Sequence, residues 1–314
     1  MAILVTGAAG FIGTNLSRAL LEQGKKVIGV DNLITGTKQN IAFLQRFKSF
    51  SFLEMDIADP LLGPKLTATP IDEIYELACP TGVDNLTKIP LQMLSASTIG
   101  VINLCEIAVK KKAALLFASS SEVYGDPKIT PQTEDYTGNV APLGSRSAYE
   151  EGKRCAESII AAYCRTRSLK AVIARVFNVY GPFFSDRDTR VIFRFLRLMK
   201  QGKKPEIFGD GRQTRSFIYI DDLIEGFALL MKKGQSGEAY NIGSDTSISI
   251  NDLTQITIRA ASSTLEPIHL PKHPLDLQNT RLPDLNKIKS LGWKNRISLE
   301  VGLRETVRWM SESK

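Results

Sequence analysis

Tyr149 and Lys153 stand four residues apart in a stretch with helical spacing, which stacks them one turn apart on a single face. A phenol with a reference pKa of ~10 works as a base near neutrality only after a shift of several units, at ~1.4 kcal/mol per unit, and a neighbouring ammonium stabilises the phenolate. Such a base removes a proton from a sugar hydroxyl while a hydride leaves for a nicotinamide. With 8 tyrosines in the chain the spacing arises readily by chance, so context has to decide it. Ser119, Ser120, Ser121 and Glu122 follow a β-rich run at 114–118. That puts them at the carboxyl edge of a parallel strand, where open α/β sheets bind their ligands. Read without that context they are a serine-rich loop with a helix cap.

The residues Thr6-Gly7-Ala8-Ala9-Gly10-Phe11-Ile12-Gly13 place glycines between a strand and a helix. There the backbone must turn tightly and let a pyrophosphate approach the free N–H groups of the helix start. Asp31 ends the second strand, where a carboxylate accepts both hydroxyls of a ribose; no basic residue follows within the next five positions to receive a 2′-phosphate. The expected cofactor is therefore NAD and not NADP. Asp56 and Ile57, after the third strand, read either as an adenine contact or as an ordinary turn.

These groups need a scaffold, and the chain supplies one by alternation. Ala2–Thr6 reads as a strand, 11–23 as a helix and Lys26–Asp31 as a strand, and the rhythm continues through 50–55, 71–77, 91–109, 114–119, 148–163 and 170–177. Strands alternating with helices predict an α/β fold, a Rossmann-type doubly wound parallel sheet. After Asn178 the pattern becomes irregular, with Gly181-Pro182, Gly209-Asp210-Gly211 and prolines 267–274 marking loops. Segments 215–230 and 239–242 still read as main-sheet material. The expected division is 1–175 plus about 212–245 for the nucleotide-binding unit, and about 176–211 plus 246–314 for a smaller C-terminal α/β lobe.

Composition narrows the classes. The 314 residues carry 40 basic and 33 acidic side chains, a net charge of +7, which suits an anionic ligand but lacks the clustered patch of a nucleic-acid binder. Lys110–Lys112 reads as a solvated helix end, and the basic stretch 187–197 as either phosphate ligands or a solvated helix face, the latter expected for Arg194 and Arg197 at least. Cys79, Cys105, Cys155 and Cys164 form no CxxC pair, which fits reduced thiols in a cytoplasmic enzyme. His269 and His273 lie among prolines, so no metal site is expected. No unbroken apolar run reaches the ~18–20 residues of a membrane span, and no membrane association is expected.

Taken together, GAAGFIG at 7–13, Asp31-Asn32, SSSEVYGDP at 119–127, YEEGK at 149–153, RVFNVYGP at 175–182 and RQTRSFIYIDDL at 212–223 resemble the extended short-chain dehydrogenase/reductases that act on nucleotide sugars. Within that group the segments SEVYGDP, PQTEDY, YEEGKR and RLPD, the last at 281–284, look most like UDP-glucuronate decarboxylases, the UDP-xylose synthases. The resemblance implies a cycle in which bound NAD oxidises the sugar at C4, chemistry follows at the next carbon, and the ketone is reduced again. It implies Tyr149 as base, Lys153 as its tuner, Ser120 on the same oxygen, and Ser121, Glu122 and Arg281 as the residues of the decarboxylation. Dinucleotide contacts fall on Gly7, Gly10, Phe11, Ile12, Gly13, Asp31, Asn32, Gly36, Asp56, Ile57, Leu77 and Ala78, besides Tyr149 and Lys153. Substrate contacts fall on Thr81, Asn178, Arg190, Phe208, Arg215 and Arg281, with the arginines on the diphosphate and Phe208 beside the base. A homodimer packed through helices 91–109 and 148–163 is implied as well.

The likeness thins at 79–92, where Leu86 replaces an aromatic and Gln92 a lysine of the relatives. That removes a phenol and a cation from the neighbourhood expected for a sugar carboxylate. Competing readings are a 4-epimerase or a 4,6-dehydratase of the same group, and a regulatory protein that binds NAD without turnover.

Overall fold

A computed structural model describes residues 1–82, 84–271 and 280–312. The first half runs β1 (Ala2–Thr6), α1 (Phe11–Glu22), β2 (Lys26–Asp31), α2 (Lys38–Leu44), β3 (Phe50–Glu54), α3 (Leu62–Lys65) and β4 (Glu73–Glu76). It continues with α4 (Asn85–Lys88), α5 (Pro90–Ser95), a π turn (Ala96–Gly100), α6 (Val101–Lys111), β5 (Ala114–Ser120), a 3-10 turn (Ser121–Tyr124), α7 (Ser147–Arg167) and β6 (Ala171–Val176). Then follow β7 (Asn178–Tyr180), α8 (Val191–Lys200), β8 (Glu206–Phe208), β9 (Thr214–Tyr219), α9 (Ile220–Lys233), β10 (Ala239–Ile242) and β11 (Ser247–Ser249). The chain closes with α10 (Ile250–Ala260), β12 (Ile268–Leu270), β13 (Thr280–Arg281), α11 (Asn286–Ser290) and α12 (Leu299–Glu312).

Seven parallel strands form the central sheet in the order β3-β2-β1-β4-β5-β6-β10. Burial on both faces explains why β1 is apolar throughout while its side chains alternate. Ile3 and Val5 join one layer with Leu16 of α1, Phe193 of α8 and Phe227 of α9. Leu4 faces the other layer, with Leu62 of α3, Leu104 of α6 and Ile160 of α7. Chain order reverses between β1 and β4, so a crevice opens at their carboxyl ends. The glycine turn, the end of β5 and the start of α7 all meet there.

A second sheet joins β11, β9, β13 and β7 around β9, and β8 pairs with β12. This corrects the division expected from sequence at one point. Strand β9 pairs with β7, β11 and β13, so 214–219 belongs to the smaller sheet; α9 and β10 alone return to the main one. An alternating strand pattern fixes which face is buried but not which neighbour the strand takes. The β9–β13 register sets Arg281 opposite Arg215, and thereby carries a residue from near the C-terminus to Glu122 at the crevice wall.

Residues Pro90–Lys111 form one 22-residue helix that is, by length and composition, apolar enough to cross a membrane, with half of that window buried in the fold. The helix expected over 91–109 is thus continuous through α5, the π turn and α6. At its end Lys112 adopts a left-handed conformation and Lys111 donates to Thr69 O at 2.8 Å, while Lys110 stays exposed. His269 sits on β12 with its Nδ1 2.8 Å from Gly209 O; His273 lies outside the described residues. Among the described residues no His, Cys, Asp and Glu cluster is arranged to hold a metal, and the four cysteines are free thiols.

Candidate active site

The strand-to-helix turn after β1 leaves no room for side chains. Gly7 has φ +67°, and a Cβ there would lie 2.7 Å from Leu77 O; at Gly13 it would lie 2.0 Å from Gly7 O. Helix α1 begins after Gly10 without a side-chain cap, which leaves N–H groups of its first turn directed at the crevice. Asp31 braces the turn, accepting from Ala9 N at 2.9 Å and Leu33 N at 2.8 Å. Burial pushes its carboxyl up, and these two N–H groups pull it back. Asn32 donates to Asp56 at 2.7 Å, and Asp56 also accepts from Ala58 N, so this aspartate both shapes its turn and borders the crevice.

The crevice holds about 850 Å³. Its inner end is lined by Ala118, Ser119, Ser120, Ser121, Tyr149 and Lys153. Ser120 accepts from Glu122 N at 3.2 Å, capping the 3-10 turn, and its side chain also hydrogen-bonds the Tyr149 hydroxyl. The cap reading and the catalytic reading of this serine are thus compatible. Lys153, one turn on, is buried and donates to Ala118 O at 2.8 Å, with its ammonium 4.5 Å from the centre of the Phe117 ring. The Tyr149 phenol is pushed up, first by burial and then by Cys79; the Ser120 hydrogen bond is the leading influence that lowers it, with Arg190 also lowering it.

Beyond Tyr149 lies an alternating row of charges. Arg281 is buried and pairs with Glu122 through Nη1 at 2.5 Å and Nη2 at 3.3 Å, and it also donates to Ser121 Oγ and Gly125 O. Arg146 meets the same carboxylate at 2.6 Å and reaches Glu150 at 3.1 Å. Burial opposes ionisation of Glu122, but Arg281 and then Arg146 overcome it and hold the carboxyl well below the usual range. The buried Nε of Arg281 has no hydrogen-bond partner among the described residues. Both terminal nitrogens are taken up by Glu122, Ser121 and Gly125, so Arg281 sits as a buried positive charge behind the crevice-lining Ser121 and Glu122.

The sequence profile described as the NAD dependent epimerase/dehydratase family matches residues 3–243. The chain belongs to this family. A UDP-glucuronic acid decarboxylase 1 of Danio rerio is 37% identical over 310 residues, 98% of this chain and 72% of that protein. The crystal structure of the UDP-glucuronic acid 4-epimerase of Bacillus cereus with UDP-glucuronic acid and NAD superposes with a TM-score of 0.88 at 31% identity, covering all of both chains. That of the UDP-glucose 4-epimerase of Thermotoga maritima with UDP-glucose gives 0.91 at 30% identity, covering 100% of this chain and 99% of that one.

As a member of the epimerase/dehydratase family the chain is an NAD-dependent enzyme. The cradle fits that cofactor: Gly7 and Gly13 stand where any Cβ would strike backbone, and Asp31 offers a carboxylate with no cation beside it on its strand. Phe11, Ile12, Asn32, Ile57, Leu77 and Ala78 line the crevice with them. Gly36 lies behind it, where a Cβ would fall 2.6 Å from that of Ala9.

The substrate residues implied by the family divide into two groups. Thr81, Asn178 and Arg190 line the crevice; Phe208, Arg215 and Arg281 are not among its lining residues. Arg190 is paired with Asp188 and lies over Phe11 and Phe193, 5.0 and 4.8 Å from the ring centres. Asn178 donates to Ser216 O at 3.0 Å. Phe208 packs under Arg194, whose Nη2 donates to Glu206 O, and Arg197 donates to Asp186 O and Asp188 O. This corrects the solvated face expected for these two arginines: both tie down backbone carbonyls of neighbouring segments. At the 79–92 departure, Leu86 is buried and Gln92 borders the crevice, but Lys88, on the turn before, brings a cation to the same wall, 3.4 Å from Asp84.

Sequence reasoning missed Arg146. The signal was present: a cation at the N-cap of a helix opposes the macrodipole and needs an acid to hold it there. Glu150, four residues on, is one such acid, and Glu122 is the second.

Proposed function

We propose that the enzyme is a UDP-glucuronate decarboxylase that forms UDP-xylose through a 4-keto sugar. The row Arg281–Glu122–Arg146 beside Tyr149 carries this reading, and the full-length similarity to decarboxylases supports it. In this reading Tyr149 takes the proton from the sugar 4-hydroxyl and Ser120 holds the same oxygen. Lys153 keeps a positive charge behind the phenol. NAD, when bound, accepts the hydride from C4 and later returns it. A ketone at C4 makes the C5 carboxylate that of a β-keto acid, whose loss of CO2 leaves an enolate; a proton from solvent at C5 gives the 4-keto pentose, whose ketone then takes back the hydride at C4 and the Tyr149 proton at oxygen. Arg281, behind Ser121 and Glu122, supplies the positive charge that favours that carboxylate and then the enolate. Glu122, held ionised between two arginines, orients Arg281 and carries no proton.

Asp31, Asn32 and the glycine turn would hold the adenosine diphosphate half of NAD; Arg190 and Asn178 face the substrate diphosphate. The structural kinship with 4-epimerases supports a second reading, in which the same ketone is reduced from its other face. Incubation with UDP-glucuronate and mass analysis of the product separates them. We expect loss of the mass of CO2; an unchanged mass with a shifted chromatographic position would establish the epimerase instead.

The exposed side of Pro90–Lys111 carries Leu91, Ile99 and Ile102, 74%, 52% and 40% exposed, beside α7. An apolar stripe of this kind supports a homodimer closed by helix packing across a two-fold axis. Light scattering is expected to give twice the chain mass, and Leu91→Glu with Ile102→Glu should return it to that of one chain.

A further inference from the structure

The geometry points to the Glu157–Arg175 ion pair as a positioning device of the reaction: it clamps both ends of the segment that carries Ser120 and thereby sets Ser120 against Tyr149. The inference rests on the roles just given to Ser120 and Tyr149. Alternation along two strands builds the clamp. On β5, Leu115 and Phe117 face the layer that holds Ala156 and Ile160 of α7, and Ser119, two residues on, turns the same way. On β6, Ala171 and Ile173 face that layer and Arg175 continues the row, as the strand partner of Ser119. Glu157 comes from α7, one turn past Lys153 and two past Tyr149. The helix that carries the base thus also carries the acid that joins Ser119 to Arg175.

Every contact in the cluster is direct. Ser119 Oγ donates to Glu157 Oε1 at 2.6 Å. Arg175 meets the same carboxylate as a fork, Nε to Oε1 at 3.0 Å and Nη2 to Oε2 at 2.8 Å. Its Nη1 donates to the Tyr124 hydroxyl at 3.0 Å and to Glu134 O at 2.8 Å. Tyr124 is fully buried and donates in turn to Asn241 Oδ1, on β10, at 2.7 Å. Ser119 stands immediately before Ser120, and Tyr124 closes the 3-10 turn that Ser120 caps. One ion pair therefore holds 120–123 from both sides, although neither of its members lines the crevice. Helix α7 keeps anchors of its own, Lys153 on Ala118 O and the buried Gly152, Ala156 and Ile160. Loss of the pair accordingly falls on the segment with Ser120 and spares Tyr149.

The test is a double-mutant cycle on kcat for UDP-glucuronate, with Glu157→Leu and Ser120→Ala. In the wild-type background Glu157→Leu should lower kcat about 30-fold, inside the ~10²-fold range for a misplacement of about 1 Å. In the Ser120→Ala background the same substitution should cost no more than about twofold, because the group it positions is already gone. A merely structural glutamate would cost the same factor in both backgrounds. Ser119→Ala keeps the ion pair and loses only the hydroxyl link. It should lower kcat about fivefold, the worth of one hydrogen bond, with the same dependence on Ser120, and it serves if the leucine variant folds poorly. Equal losses in the two backgrounds, or no loss in the first, overturn the proposal. Product mass keeps the two readings apart. An epimer in place of CO2 loss removes the decarboxylase reading, while the cycle, which depends on the oxidation at C4 common to both reactions, still decides the clamp.

Discussion

Replacing Tyr149 by phenylalanine should lower kcat by ~10³-fold or more, the upper range for loss of a positioned acid–base group, while the protein still binds NAD. The phenol oxygen hydrogen-bonds Ser120, and the phenylalanine ring can occupy the same half-buried space, so the fold should be retained. Burial and Cys79 hold the phenol up, and Ser120 and then Arg190 pull it back. A Ser120→Ala variant should accordingly lose less than Tyr149→Phe. Turnover of Tyr149→Phe within about tenfold of the wild type would place the base elsewhere in the crevice. Isothermal binding of NAD to the same variant separates a chemical defect from a collapsed site.

The parts of the site that the sequence discloses are those where local backbone geometry dictates residue type. Gly7 and Gly13 must be glycine because backbone atoms occupy the place of a Cβ, and Asp31 must end a strand to reach both Ala9 N and a ribose. Tyr149 and Lys153 show through helical spacing because they share one helix. The rest is built by pairs that only the completed topology brings together. Glu122 lies 24 residues from Arg146 and 159 from Arg281. Arg281 was found through family likeness alone; as a residue it reads like any arginine of a proline-bearing loop. Strand β9 was assigned to the wrong sheet because its apolar alternation is equally served by either core.

The division of work between the phenol and the charged row gives the second large effect. Arg281→Ala should reduce CO2 release by ~10³-fold, the range for removing a donor aimed at a developing oxyanion. Oxidation at C4 depends on Tyr149, Ser120 and Lys153, none of which Arg281 is seen to touch, so it should persist. The variant should then accumulate a 4-keto sugar acid, visible as a rise in reduced-nicotinamide absorbance that the wild type does not sustain. Glu122 keeps Arg146 as a partner after the substitution, which limits the penalty of stranding a buried carboxylate. Arg281→Lys retains a cation against Glu122 but loses the planar fork and the Nε edge, and should recover stability more than rate. If oxidation and CO2 release fell together in Arg281→Ala, the arginine would be holding the 3-10 turn through Ser121 and Gly125 and not the substrate. Glu122 would then join it as part of the scaffold for Ser120.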